Sequence, residues 1–515
     1  MEKNRMNDLL MDLKKSVELK SKIADPRNVA TYYLGHTMWT LHNELYKTVQ
    51  NTDLRRVVVI APRDHGKSEV FTHTLPLWSY LNNRDIRILI SAKSKDQATK
   101  FLSVIKQDFE KNEKIKKDFG DLKDNPWQDS KIYLKRNPTV SLKDPSVEAV
   151  GVLGGITGAH FDLIVCDDLL DDENTRTERK RQSVMTWFKG TLEPLLEPNG
   201  RLFVVGTRKH YKDMYQYLLN NDVWKHLECQ YNIAGDHRRC GYKSIIQEPR
   251  HEIIYNDEGK LKDIKIIGDC KILLPEKFTI QELLTRKISM GSQLFNSEYQ
   301  NDPTGLEGLL LDDEWLQYYE HISDLDKLIF KLKVMAFDLA ISEKDIEGGD
   351  YFAGVFLGLT DDNKFYVLDY IREHLDFPSQ VRKVQSWFDL QSSFGWRPDV
   401  VVIETNAYQK ALSQHLKAVS TLPIIEKKQD KDKYTRLLEV SPYFESKRVY
   451  LRDDMTDIID EYKMFPRGDH EDLLDAIQMA MSEIIKRSTD YEFFGWRPGW
   501  LRKKDESEYI SSRHI

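Results

Sequence analysis

Val57-Val58-Val59-Ile60-Ala61-Pro62-Arg63-Asp64-His65-Gly66-Lys67-Ser68-Glu69-Val70 is the stretch on which the reading of this 515-residue chain turns. Four β-branched residues in a row read as a short buried strand, Pro62 ends it, and Gly66-Lys67-Ser68 turns the chain into a helix. This is the layout of a phosphate-binding loop, in which backbone N–H groups and a helix N-terminus face an anion. Lys67 then reaches the terminal phosphates and the Ser68 hydroxyl ligates Mg²⁺. Ala61 stands where such loops carry their first glycine, so an ordinary strand–turn–helix is the competing reading of this stretch.

A chain this long exceeds one core and implies two domains or more. Acidic residues outnumber basic ones, 83 to 76, for a net charge of −7, which excludes a uniformly basic nucleic-acid binder but leaves room for a local basic channel. The four cysteines have no Cys-x-x-Cys spacing, so neither a zinc site nor a disulfide framework is expected, and reduced thiols suit a cytosol. No apolar run approaches a membrane span, and a soluble intracellular protein is expected.

Residues 1–25 alternate apolar and charged positions and predict an amphipathic helix, packed on the first domain or docking a partner. The aromatic-rich segment 32–42 can stack an adenine or simply fill a core. A strand is predicted over 86–91 and a helix over 96–111, and this alternation points to a parallel α/β sheet. Residues 112–150, polar and lysine-rich, read as a surface excursion that can touch nucleic acid. The apolar run Phe161–Cys166 ends in Asp167-Asp168, as a Walker B strand does. Asp167 would hold Mg²⁺ through water, and Asp168 would orient or deprotonate the attacking water. A further strand ends in Gly206-Thr207-Arg208, where Thr207 can sense a γ-phosphate. Residues 211–300 read as a lid with a polar, irregular centre (236–265), and 301–325 as a linker.

The second half is organised by acids. A strand over 332–337 delivers Asp338, Gly348-Gly349 turns the chain before Asp350, and a later strand, 400–403, carries Glu404 at its tip. A helix starting near His470 bears Asp472 and Asp475 three residues apart, on one face. Carboxylates at strand tips plus a helical pair suit a two-metal nuclease, because hard oxygen ligands hold the divalent ions that activate water and neutralise a leaving oxygen. Solvated surface acids are the alternative.

With these landmarks the chain, over roughly residues 30–487, resembles the large terminase subunits of tailed bacteriophages. The shared features are Pro62–Ser68, Gly158–Asp168, Gly206–Arg208, Asn296–Pro303, Phe337-Asp338, Ile403-Glu404 and His470–Ala476, in that order. The resemblance implies an α/β protein in which a P-loop ASCE-type NTPase domain is followed by an RNase H-like, resolvase-like nuclease domain. The expected divisions are a helical arm 1–30, the ATPase with its lid 31–300, the linker, the nuclease 326–487 and a tail 488–515. It assigns Arg63, Asp64, His65, Gly66, Lys67, Ser68, Asp167 and Thr207 to ATP and Mg²⁺, with Asp168 as catalytic acid. It assigns Asp338, Glu404 and Asp475 to Mg²⁺ or Mn²⁺, with Asp472 and Asp350 as auxiliaries. It further implies double-stranded DNA, a portal protein, a small terminase subunit and a pentameric ring as partners, without a membrane. The place of action would be the host cytoplasm and, transiently, the procapsid portal, but not the mature virion.

One departure is Ile156-Thr157-Gly158, where some relatives carry an arginine. The positive charge that stabilises the transferring phosphoryl group must then come from elsewhere, with Arg63 first and Arg176 or Arg179 next. The aromatic and basic tail, with Trp496, Trp500 and Lys503, can dock on a portal or pack on the nuclease. Two other functions remain open: an ATP-dependent helicase–nuclease of repair or defence, and a prophage remnant that keeps the fold as a scaffold without turnover.

Overall fold

The computed structural model describes residues 14–137, 143–156, 158–221, 223–226, 241–303, 310–338, 351–404, 410–429, 431–466 and 471–488. The chain divides into two compact units, one formed by residues 1–248, 269–280 and 296–305, the other by 249–268, 281–295 and 306–515. The expected lid span, 211–300, is thus shared between them.

The first unit is built on eight strands: β1 (Arg56–Ile60), β2 (Ile88–Ala92), β3 (Lys123–Trp127), β4 (Lys131–Leu134), β5 (Val147–Gly151), β6 (Phe161–Asp167), β7 (Leu196–Gly206) and β8 (Lys225–His226). They lie in the order β3-β4-β5-β2-β6-β7-β1-β8. The pairs from β5 through β8 are parallel, whereas β3 and β4 form an antiparallel edge. Strands sandwiched on both faces must be apolar throughout, and β2 and most of β1 and β6 are buried. β7 runs between β1 and β6, the strand insertion that defines the ASCE class. It aligns Ile60 with Gly206 and Asp167 with Val205, so the carboxyl ends of three strands meet at one edge.

The segment 112–150 is not a surface excursion. It contributes the helix Glu113–Phe119 and the strands β3, β4 and β5, the last wholly buried beside β2. Glu148, the second residue of β5, hides that strand from an apolar-run reading, and it is balanced by Lys131 at 2.8 Å on the neighbouring strand. The polar centre of the expected lid also has order. β9 (Ile245–Gln247) pairs with β12 (Lys271–Ile272), and between them β10 (Arg250–Tyr255) and β11 (Leu261–Ile267) form an antiparallel hairpin.

The second unit holds a seven-stranded mixed sheet, β13 (Gln317–Tyr319), β14 (Phe330–Asp338), β15 (Phe352–Thr360), β16 (Phe365–Glu373), β17 (Val400–Glu404), β18 (Ile424–Lys427) and β19 (Val449–Arg452). The order is β13-β19-β16-β15-β14-β17-β18, with β14, β15 and β16 antiparallel and β17 and β18 parallel to β14. Alternation along β14 sends Val334 and Ala336 into one core, with Leu473, Ile477 and Met481 of the helix Asp472–Arg487. Met335 and Phe337 enter another core with Trp387 and Phe388 of the helix Phe377–Ser393. Among the described residues, no helix is long and apolar enough to cross a membrane.

Candidate functional site

In the first unit, the phosphate loop leaves β1 at Ala61, whose N–H donates to Gly206 O at 3.0 Å. Asp64 and Gly66 take positive φ angles, 63° and 77°, and a Cβ on Gly66 would run into the His42 imidazole. Ala61 at the first glycine's place is fully buried, so the loop closes around a methyl group there. The His65 side chain lies beneath the loop. Its Nδ1 is 2.7 Å from Arg63 O, its ring packs on Phe278, and burial pushes its pKa down to about 4. The Asp64 carboxylate accepts from the Tyr299 hydroxyl at 3.2 Å.

Lys67 is buried, its Nζ donating to Thr207 Oγ1 at 2.7 Å and standing 3.2 Å from Asp168 Oδ2. The loop, the Walker B strand and the third strand tip therefore converge on one ammonium group. The helix after the loop contains a π-type turn, Glu69–Thr74, which aims the Thr72 hydroxyl at Asp167 Oδ2, 2.5 Å away. Asp167 is wholly buried. Burial and then the Asp168 charge push its pKa up to about 6, against Lys67, Thr72 and Ser68. Its Oδ1 is buried without a hydrogen-bond partner among the described residues, as a carboxylate prepared for a cation or its water would be. Asp168 is held in the left-handed region, φ 46°, by its N–H bond to Val205 O, and its side chain is 43% exposed. Carboxylate, hydroxyl and lysine together fit a Mg²⁺–nucleotide pair.

Of the candidate arginines, Arg63 is half-exposed, 3.8 Å from Glu298, and Arg176 and Arg179 are exposed. Thr157 lies outside the described residues. Arg208 is wholly buried against Asp213 at 3.2 Å, so the third residue of Gly206–Arg208 is a structural anchor. Two residues to which the sequence reading gave no role complete this edge. Glu298 is buried and ion-paired with Lys209 while its backbone carbonyl receives Arg63 N–H at 3.0 Å. Thr72 follows Ser68 by four positions, a helical spacing that would have exposed it.

In the second unit the carboxylates gather at the ends of β14 and β17 and on the first turn of the helix Asp472–Arg487. Glu404, Asp472 and Asp475 are buried, at 7%, 8% and 5% exposure. Burial, then the charges of Glu404, Asp475 and Asp472, push the Asp338 pKa up to about 8, which is the signature of four acids in one low-dielectric place. Asp350 and His470 lie outside the described residues. Lys433 Nζ is 3.0 Å from Asp475 Oδ2 and 3.8 Å from Asp472 Oδ1, and Arg436 Nη2 is 3.0 Å from Asp475 Oδ1. The sequence signalled neither cation. Among the described residues no three acids form a ready metal cage as they stand. The donor chemistry, hard carboxylate oxygens that repel one another, nonetheless fits divalent cations. The helix is fixed by buried Glu461, which accepts from Leu473 N at 2.9 Å and Leu474 N at 3.1 Å.

Residues 335–483, which hold Asp338, Glu404, Asp472 and Asp475, match the family model of the terminase RNaseH-like domain. Within that segment the chain is similar to the RNaseH-like domain of terminases. It is 29% identical over 182 residues to the terminase large subunit of Enterobacteria phage T3, a match covering 35% of this chain and 30% of that subunit. Among solved structures, a large terminase from a thermophilic bacteriophage is similar at a TM-score of 0.47 and 9% identity, over 87% of this chain and all of that one. The large terminase of bacteriophage HK97 is similar at a TM-score of 0.30 and 13% identity, over 87% of this chain and 95% of that one. The large terminase nuclease from thermophilic phage G20c with bound magnesium is similar at a TM-score of 0.23 and 17% identity, over 30% of this chain and 81% of that one. By its strand order the first unit is an ASCE-type P-loop domain, and by its family match the second is a terminase RNase H-like domain.

Proposed function

We propose that this terminase relative hydrolyses ATP to move double-stranded DNA into a procapsid and cuts that DNA at a separate metal-dependent site. The observation that supports it most is the gathering of Asp338, Glu404, Asp472 and Asp475 in the segment that matches the terminase nuclease family, on a chain that also carries a phosphate loop.

In the first unit Lys67 and the loop N–H groups bind the phosphates, and Ser68 and Asp167 hold Mg²⁺, which supplies charge neutralisation at the phosphoryl oxygens. Asp168 orients the attacking water, and Thr207, bonded to Lys67, changes partner when a γ-phosphate arrives. Arg63 supplies the further positive charge. Arg63→Ala should lower ATP turnover about 10³-fold while nucleotide binding persists, as expected for a charge acting on the transferring phosphoryl group; unchanged turnover would remove it.

In the second unit Asp338, Glu404 and Asp475, with Asp472 beside them, hold Mg²⁺ or Mn²⁺, whose role is to activate water and stabilise the leaving oxygen. A ring on a portal, a small terminase partner and action in the host cytoplasm complete the proposal. Portal-dependent protection of DNA from nuclease in the presence of procapsids and ATP tests the motor reading. Efficient unwinding of a forked duplex without such protection would make the chain a helicase–nuclease instead.

A further inference from the structure

Lys433 and Arg436 open the helix Lys433–Glu445, whose N-cap Asp432 accepts from Thr435 N at 3.1 Å. Cations in the first turn of a helix oppose its dipole, so helix stability does not explain them there. Three apart, both face the acid cluster, but they differ. The Arg436 side chain is 7% exposed and spans Asp475 at 3.0 Å and Glu404 at 4.0 Å, a fixed brace between a helix and a strand tip. The Lys433 side chain is 44% exposed, and its ammonium, on a flexible four-carbon stem, lies over Asp475 and Asp472.

We propose that Lys433 is a catalytic residue of DNA cutting, a built-in cation that leaves Asp475 and Asp472 for the phosphate being cut when those carboxylates take up metal. The inference rests on the nuclease reading of the acid cluster. Lys433 and a divalent ion compete for the same oxygens, and like charges at that distance repel. The displaced ammonium remains within reach of whatever lies over the acids. Four carboxylates offset two divalent ions, so the negative charge of a phosphorane-like transition state calls for further positive charge, which the freed Lys433 supplies while Arg436 stays on the acids. In the reaction a water oxygen forms the new P–O bond, the P–O bond to the departing sugar oxygen breaks, and that oxygen takes the proton. Lys433 contributes charge and transfers no proton.

The test uses the full chain with Lys433→Met, measuring Mn²⁺ binding calorimetrically without DNA and plasmid cutting at saturating Mn²⁺. Removal of a competing cation should tighten Mn²⁺ binding about tenfold, and loss of transition-state charge should slow cutting about 10²-fold. Opposite signs in the two measurements are not what simple damage to the site produces. Binding that is no tighter, or cutting that is no slower, overturns the proposal. Asp338→Asn separates the two levels. If Asp338→Asn binds Mn²⁺ and cuts like wild type, the nuclease reading itself fails. If it loses both while Lys433→Met matches wild type, only the role of Lys433 fails.

Discussion

Lys67 makes two contacts that a bound phosphate would replace, one with Thr207 and one with Asp168. Thr207→Val removes the first while keeping the shape of the side chain. It should leave nucleotide affinity within about threefold and lower ATP turnover about tenfold or more, since the hydroxyl matters when charge moves. Equal loss in both would make Thr207 a binding residue only. Arg208, one position on, has a different character. With both it and Asp213 wholly buried, Arg208→Ala leaves an uncompensated charge and should cost about 3–5 kcal/mol, read as a fall in unfolding midpoint. A near-neutral result would contradict the anchor role. These neighbours share a motif in the sequence and are both buried, but Thr207 meets Lys67 and Arg208 meets Asp213, and those partners are not written in the motif.

At the scale of elements, the phosphate loop depends on the neutral imidazole of His65. An unfolded histidine takes up a proton near pH 6.5, whereas His65 does so only near pH 4 in the fold. The unfolded chain therefore binds more protons between these values, and stability drops as pH falls through that window, by about 2 kcal/mol at pH 5 for this one group. His65→Gln should lose less melting temperature between pH 7 and pH 5 than wild type does; equal losses would refute the burial argument. Glu461 plays a comparable part for the acid-bearing helix. Glu461→Ala removes an acceptor from two first-turn N–H groups, costs about 1–2 kcal/mol, and should impair DNA cutting far more than ATP turnover. Equal impairment would point to general unfolding. Strands β1, β6, β14 and β17 were legible because β1 is an apolar run leading into the loop before Gly66-Lys67-Ser68, and the other three are largely apolar and end in an acid. β5 was not, because Glu148 interrupts it and its counter-ion Lys131 lies on another strand. Lys433, Arg436 and Glu461 were also invisible, since their meaning comes from what the fold sets opposite them.

As a whole, the molecule carries two candidate sites on one chain. The first unit gathers Lys67, Asp167, Asp168 and Thr207 at one sheet edge, and the second gathers four carboxylates under two cations. Both constellations could be read as candidates from strand ends and helical spacing, because chemistry concentrates at the carboxyl ends of strands. Their electrostatic setting could not, because it depends on burial and on neighbours distant in sequence. The most direct measurement is the cutting of supercoiled plasmid with Mg²⁺ or Mn²⁺ by wild type, Asp338→Asn and Lys67→Ala, with ATP turnover followed in the same preparations. Two independent sites predict that Asp338→Asn abolishes cutting and keeps ATP turnover, while Lys67→Ala abolishes turnover and still cuts. Cutting by Asp338→Asn at the wild-type rate would contradict the account.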